Sequence, residues 1–162
     1  RQGGTVCVVC NPNNPDGQLL DRQILADLAG QCAQAGSWLV VDEAFGDFGT
    51  QSVAPLLPHP AIVVLRSFGQ TYGLPGVRLG FLLASPALAQ RGRALLGSWP
   101  VGALALEAGR QGLANARWLR QAAHKARLAH ERLNALLPKA GLLCRLPSVP
   151  YTHLPLPPPR LL

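Results

Sequence analysis

Four short apolar runs, each ending at a turn or a polar cluster, constrain the fold of this chain more than any other feature. They cover residues 5–10, 38–41, 61–65 and 80–84. Apolar runs of this length, bounded by turn residues, predict buried strands. The first run shows no polar alternation, which is typical of a strand in a sheet that is covered on both faces.

The segment between the first two runs predicts a helix. Asp21 is placed as its N-cap, and Gly36 is a natural stop. Between them, apolar residues recur at helical spacing at Ile24, Leu25, Leu28 and Cys32. A strand, a helix and a strand joined by short connections form a right-handed parallel crossover. We therefore expect an α/β fold, a three-layer sandwich with a mostly parallel sheet, whose fourth strand could run antiparallel.

Beyond the last predicted strand, residues 101–137 have the pattern of one long amphipathic helix. Its apolar stripe comprises Trp118, Leu119, Ala122, Ala126, Ala129, Leu133, Leu136 and Leu137. Its polar face comprises Arg117, Arg120, Gln121, His124, Lys125, Arg127, Glu131 and Arg132. Pro138 and Gly141 end the helix, and six prolines at residues 147–162 argue against a regular helix or a central strand in the tail.

The net charge of +7 is distributed unevenly along the 162 residues. Residues 1–50 hold two basic and six acidic side chains, whereas residues 51–162 hold thirteen basic and two acidic ones. A non-enzymatic module that binds nucleic acid through the basic helix is therefore one alternative. No helix-turn-helix, zinc-finger or RRM signature accompanies that helix, so we expect its basic face to be solvated and no nucleic acid to be bound.

The cysteines and the longest apolar runs bear on location. Cys7 and Cys10 lie three residues apart in a predicted strand, so their thiols point to opposite faces and suit neither a disulfide nor one metal ion. We expect inert reduced thiols, no metal site and a cytoplasmic setting.

No run approaches the ~18 apolar residues of a membrane span. The chain starts without methionine or a secretory leader, and we expect it to be a fragment.

Three polar clusters follow three of the predicted strands. They are NPNNPDG at residues 11–17, DEAF at residues 42–45, and SFGQ at residues 67–70 running on to Arg78. Taken singly, they read as a turn, an N-cap, and a loop hydroxyl with a surface guanidinium. Open α/β sheets, however, bind ligands outside the carboxyl ends of their strands, where such clusters converge.

If the clusters converge, their side chains suit one kind of ligand. Ser67 and Arg78 can bind a phosphate, Asp42 can meet a protonated ring nitrogen, and Asn14 can donate to an oxyanion. A ligand that carries a phosphate, a ring nitrogen and a phenolic oxygen is pyridoxal 5'-phosphate.

The order of NPNNPDG, VVDEAF and SFGQTYGLPGVRLG resembles the fold-type-I pyridoxal-phosphate enzymes of the aminotransferase class I/II superfamily. Within that superfamily, the segment LGSWPV at residues 96–101 is similar to the threonine-phosphate decarboxylases of cobalamin biosynthesis. A histidinol-phosphate-type aminotransferase is the alternative within the same class. The resemblance implies a phosphorylated amino acid as the small-molecule substrate and a homodimer for the intact protein.

The resemblance also implies roles for individual residues. Asn14 would bond the phenolic oxygen of the cofactor, and Asp42 would pair with the pyridinium nitrogen and keep it protonated. Ser67 and Arg78 would hold the phosphate. Phe45 stands where many relatives have a tyrosine, so a second donor to the phenolic oxygen is missing.

Gln70 is the most serious departure from the family pattern. The family places its Schiff-base lysine three residues after the serine and eight before the arginine, and both spacings fall on Gln70. An amide cannot form a Schiff base, because its nitrogen is not nucleophilic. The chain has two lysines, Lys125 and Lys139, and both are far in sequence from the strand ends. We therefore expect this chain to be inactive in normal turnover.

The resemblance finally divides the chain into three expected parts. Residues 1–98 would be a partial large domain that binds the cofactor, and residues 99–140 a long interdomain helix. Residues 141–162 would be a truncated, proline-rich start of a small domain. The family needs over twice this length, which is a second reason to expect a fragment.

Overall fold

The computed structural model describes residues 5–14 and 16–141. Its four strands are β1 (Val6–Cys10), β2 (Trp38–Asp42), β3 (Ile62–Ser67) and β4 (Gly80–Ala84). They form one sheet in the order β1-β2-β3-β4. β1, β2 and β3 are parallel, and β4 runs antiparallel to β3. The predicted α/β class with a mostly parallel sheet is confirmed, whereas the proline-rich tail lies outside the described residues.

Five helices accompany the sheet in the described part of the chain. They are α1 (Arg22–Gln34), α2 (Phe68–Tyr72), α3 (Pro86–Leu96), α4 (Ala103–Ala114) and α5 (Ala116–Leu136). Short 3₁₀ turns lie at Gly46–Phe48, Ala54–Leu56, Pro75–Val77 and Pro138–Ala140. None of the described helices is both long and apolar enough to span a membrane.

Helix α1 forms as predicted and builds the main core. The Asp21 carboxylate accepts a hydrogen bond of 2.7 Å from the Gln23 backbone N–H, which satisfies a donor at the helix start. The helix packs its buried side chains against the sheet, in a core that contains Leu25, Ala29, Cys32, Leu39, Val41, Ile62 and Val64. Ile24, which the helical spacing placed in the apolar stripe, is 54% exposed instead.

The opposite face of the sheet is open at β1. Val6 and Val8 alternate with the inward-facing Cys7 and Val9, and Val8 is 67% exposed. The expectation of cover on both faces is therefore not met at this strand. Apolar side chains allow a strand to be buried on both faces, but another segment of the fold must pack there to bury them. The thiols of Cys7 and Cys10 point to opposite faces of the sheet, as predicted.

The predicted single helix over 101–137 is two helices, α4 and α5, separated at Asn115. The Asn115 side chain accepts a hydrogen bond of 3.0 Å from the Trp118 backbone N–H, and its backbone leaves the helical region at φ −95°, ψ 62°. Asparagine breaks the helix because its side chain offers the backbone N–H groups an alternative partner. The polar face of α5 is exposed as expected, and Gly141 ends this region with a positive φ of 70°.

Helix α4 lies very close to the carboxyl end of the sheet. A Cβ on Gly109 would stand 2.6 Å from Cδ2 of Leu79, and one on Gly112 would stand 2.7 Å from Cζ of Phe68. Cβ atoms essentially never approach other atoms this closely, so a larger side chain at either position would force Leu79 or Phe68 to shift. The two glycines therefore let α4 close over the residues that follow β3.

Candidate functional site

Asp42 and Ser67 lie on the same face of the sheet, at the carboxyl ends of two neighbouring parallel strands. Asp42 is the register partner of Leu65, and Ser67 stands two residues further along β3. Side chains alternate between the two faces of a strand, so both point to the same side. Asp42 is half-buried, and its Oδ1 accepts a hydrogen bond of 3.0 Å from the Ala44 backbone N–H. This bond holds the carboxylate in place at the end of β2.

A cavity of about 280 Å³ opens beside Ser67. The residues that line it are Arg66, Ser67, Gly69, Gln70, Pro75, Arg78, Leu79 and Gly80. The Ser67 hydroxyl donates a hydrogen bond to Oε1 of Gln70, which engages the one acceptor atom of that carboxamide. The structure thus brings together three of the predicted site residues, namely Ser67, Gln70 and Arg78.

Arg78 lines this cavity and has an unusual backbone conformation. It follows the 3₁₀ turn Pro75–Val77 and has a φ of 55°, in the left-handed region. Its Nη1 donates a hydrogen bond of 3.1 Å to the Pro75 carbonyl, and the side chain is exposed. A guanidinium has five N–H donors, so this contact orients the group and leaves donors that can meet an anion.

The loop that carries Asn14 is anchored next to Asp42 by Asn11. The buried Asn11 side chain accepts from the Leu20 N–H at 2.8 Å and donates to the Leu20 carbonyl at 3.2 Å. Its backbone N–H donates to the Asp42 carbonyl at 2.8 Å. Asn14 itself is exposed and Phe45 is half-buried, and neither lines the cavity beside Ser67.

The thiol of Cys10 senses the charge of the Asp42 carboxylate. The two residues are register partners on β1 and β2. Burial raises the pKa of the Cys10 thiol, and the Asp42 charge raises it further, whereas a hydrogen bond from the Asn14 backbone opposes both. The thiol therefore stays protonated near neutral pH. No group of ligands suited to a metal ion occurs among the described residues.

A partly buried ion-pair network lies directly behind these residues, and the sequence reasoning missed it. Arg66 pairs with Glu43, with Nη2 and Oε2 2.9 Å apart, and also with Asp47. The fully buried Glu43 accepts further hydrogen bonds of 2.7 Å from the Ser52 hydroxyl and from the Val53 N–H. The available sequence signal was a glutamate directly after one strand and an arginine next to the end of its neighbour.

Neither lysine of the chain takes part in this site. Lys125 lies on α5 and Lys139 in the turn after it, and both are exposed. Gln70 lines the cavity at the position where the family resemblance places a lysine. The site therefore offers hydrogen-bond donors for an anion and no amine for a covalent bond.

The chain belongs to the aminotransferase class I and II family, whose model matches residues 1–159. It is 37% identical over 137 residues to the threonine-phosphate decarboxylase of Pseudomonas aeruginosa. The aligned region covers 84% of this chain and 41% of that protein. Its fold is similar to the crystal structure of L-threonine-O-3-phosphate decarboxylase from Porphyromonas gingivalis, with a TM-score of 0.71 and 30% identity over 83% of this chain and 42% of that one.

A second solved structure carries the cofactor that the resemblance implies. It is histidinol-phosphate aminotransferase from Sinorhizobium meliloti in complex with pyridoxal-5'-phosphate, with a TM-score of 0.74 and 25% identity over 88% of this chain and 39% of that one. The chain spans about two fifths of the length of these relatives. The family assignment from the three sequence motifs is confirmed.

Proposed function

We propose that this chain forms part of a pyridoxal 5'-phosphate site of the threonine-phosphate decarboxylase type, and that it holds the cofactor without a covalent bond. The observation that carries the proposal is the cavity lined by Ser67, Gln70 and Arg78, on the sheet face that Asp42 shares. Its donors suit a phosphate, and the carboxylate suits a protonated ring nitrogen. The same cavity does not fit covalent attachment, because Gln70 supplies no amine.

The residues would act on the cofactor by hydrogen bonding and charge. Arg78 and the Ser67 hydroxyl would donate to the phosphate oxygens, and Asn14 would donate to the phenolic oxygen. Asp42 would accept from the ring N–H and hold that proton on the nitrogen. When bound, the protonated ring supplies an electron sink for the bond that breaks on a substrate. Phe45 cannot donate to the phenolic oxygen, so that oxygen would rest on Asn14 alone among the six predicted positions.

Within this class, we favour a decarboxylase over an aminotransferase as the activity of the intact protein. The relative that covers 84% of the chain at 37% identity is a threonine-phosphate decarboxylase, whereas a histidinol-phosphate aminotransferase of Desulfitobacterium hafniense matches 50% of it. Both names point to a phosphorylated substrate, and we propose a phosphorylated amino acid for the intact protein. Because Gln70 stands where the family resemblance places the Schiff-base lysine, we propose that this chain is inactive by itself.

The proposal extends to the assembly and location of the intact protein. We propose a homodimer in the cytoplasm, without nucleic acid or membrane as partners. The basic face of α5 supports solvation over DNA binding, because Arg127 already pairs with Glu131 at 2.5 Å along that face. Sedimentation of the intact protein tests the dimer, and steep salt-dependent DNA binding would contradict the absence of a nucleic-acid partner.

Equilibrium dialysis with pyridoxal 5'-phosphate tests the proposed function. The chain should bind it reversibly, and Arg78→Met should weaken binding about tenfold or more, because charge-assisted bonds to the phosphate are lost. Arg93→Met removes an exposed arginine from α3, outside the cavity, and serves as the matched control. Equal binding by the Arg78 and Arg93 variants, or none by the parent chain, would contradict the proposal.

A further inference from the structure

The ion-pair network behind the site holds a chain neighbour of each of three candidate site residues. Glu43 follows Asp42, Arg66 precedes Ser67, and Thr71 follows Gln70. We propose that four residues form a positioning unit, namely Glu43, Arg66, Asp47 and Thr71. This unit sets the separation between Asp42, at the ring end of the proposed cofactor site, and Ser67, at its phosphate end. This inference rests on the proposed function.

The alternation of the strands explains how the network acts from behind. Asp42 and Ser67 point to one face of the sheet, so the adjacent Glu43 and Arg66 point to the other. The 2.9 Å contact between Oε2 of Glu43 and Nη2 of Arg66 therefore bridges the ends of β2 and β3 under the candidate site. A wider spacing of the two strand ends would stretch this bridge.

Thr71 connects helix α2 to the same unit. Its hydroxyl donates a hydrogen bond to Oδ2 of Asp47, whose Oδ1 pairs with Arg66. Helix α2 has five residues, which is too short to define its own orientation through helical hydrogen bonds. The bond between Thr71 and Asp47, together with a 3.1 Å bond from the Phe68 N–H to the Leu79 carbonyl, orients the turn that presents Gln70.

The unit has little freedom to shift. Glu43 is fully buried and its two oxygens accept from Ser52, Val53 and Arg66. A Cβ on Gly46 would lie 2.9 Å from Cβ of Glu43, so the backbone also closes tightly over this carboxylate. Displacing a buried carboxylate from its partners costs several kcal/mol, which favours a single arrangement.

The network positions the site and does not itself bind the phosphate. Both Nη atoms of Arg66 are engaged by Glu43, Asp47 and Ser52. Two carboxylates and one guanidinium leave the unit with a formal charge of −1, which repels an anion. The phosphate therefore depends on Arg78 and Ser67, and the network determines where Ser67 and α2 stand.

Thr71→Val and Thr71→Ser separate positioning from simple stability. Valine has nearly the shape of threonine but no hydroxyl, whereas serine keeps the hydroxyl. We expect Thr71→Val to raise the Kd for pyridoxal 5'-phosphate about three- to tenfold, since one hydrogen bond is lost. Thr71→Ser should stay within about twofold of the parent chain. Thr50→Val, which removes an exposed threonine hydroxyl outside the unit, is the matched control.

Dialysis is carried out on the full chain, at a temperature where thermal unfolding shows every variant to be folded. A purely structural role lowers the melting temperature of Thr71→Val without changing its Kd, and that result overturns the inference while the proposed function stands. If the parent chain binds no cofactor, the proposed function fails and the positioning role fails with it. Asp47→Asn, which weakens the same link from the other side, replaces Thr71→Val if the latter does not fold and should raise the Kd in the same direction.

Discussion

The hydroxyl of Ser67 donates a hydrogen bond to Oε1 of Gln70, so the candidate phosphate ligand and the residue at the family's lysine position contact each other directly. A lysine at position 70 would offer the hydroxyl an ammonium donor instead of an acceptor. The glutamine therefore changes the hydrogen bonding at the proposed phosphate end of the cavity, and it also supplies no amine. Four predictions address this site and the fold around it.

Gln70→Lys should create covalent attachment of pyridoxal 5'-phosphate. A lysine at this position places a primary amine among the residues that line the cavity, and borohydride reduction would then fix the cofactor to the chain. Mass spectrometry after reduction should find the added mass on residue 70 of the variant and on neither Lys125 nor Lys139 of the parent chain. Gln90→Lys, an exposed position on α3, is the control and should remain unlabelled. Specific labelling of Lys125 or Lys139 would refute this prediction.

Gly112→Ala should destabilise the fold by about 1–3 kcal/mol through overpacking, part of it offset by the better helix propensity of alanine. The new methyl group would stand 2.7 Å from Cζ of Phe68, which is 1% exposed, so the ring would have to shift. Gly92→Ala in α3 meets nothing within 4 Å and should be neutral or stabilising. Urea unfolding of both variants gives the comparison, and equal stabilities would show that α4 does not pack as described.

Glu43→Gln should cost about 3 kcal/mol of stability, because it removes the charge from a fully buried partner of Arg66. Glu107→Gln, which breaks the exposed pair with Arg110, should change stability little. Chemical denaturation at low and high salt distinguishes the two sites. The Glu43 effect should persist at 1 M salt, since a buried pair is poorly screened, and a salt-sensitive loss would contradict its burial.

Stability should fall as the pH rises above about 8.5, where thiols of an unfolded chain begin to ionise. Burial raises the pKa of Cys10, Cys32 and Tyr72 in the folded chain. The folded state therefore keeps protons that the unfolded state releases, so the free energy of unfolding is highest below this range and declines above it. Urea unfolding in reducing buffer at pH 7.5, 8.5 and 9.5 measures the slope. Cys32→Ala should make it shallower, and stability that rises with pH would contradict the prediction.

Local patterns in the sequence determined the elements that carry the site. Apolar runs and the turn residues that bound them predict the four strands, because burial of a strand needs apolar side chains at consecutive positions. The N-cap Asp21 and the polar clusters at the strand ends are equally local signals. The identity of Gln70 is also a sequence fact, and it alone excludes a Schiff base at that position.

Tertiary structure decided whether an apolar residue of a predicted strand is buried and where a predicted helix is interrupted. Val8 belongs to an apolar run and yet is 67% exposed, since no described element packs over that face of β1. Asn115 divides a continuous amphipathic pattern, because one side-chain hydrogen bond outweighs periodicity at that point. The hydrophobic pattern shows neither the missing packing partner at Val8 nor the side-chain hydrogen bond at Asn115.

The network of Glu43, Arg66, Asp47 and Thr71 depends on the fold most of all. Its members are up to 28 residues apart in the chain, and each of them by itself reads as an ordinary polar residue near a strand end. Strand register brings Glu43 beside Arg66, and the turn after β2 brings Asp47 to Thr71. Sequence periodicity reports which face a side chain occupies, whereas the partner it meets there is selected by the packing of distant segments.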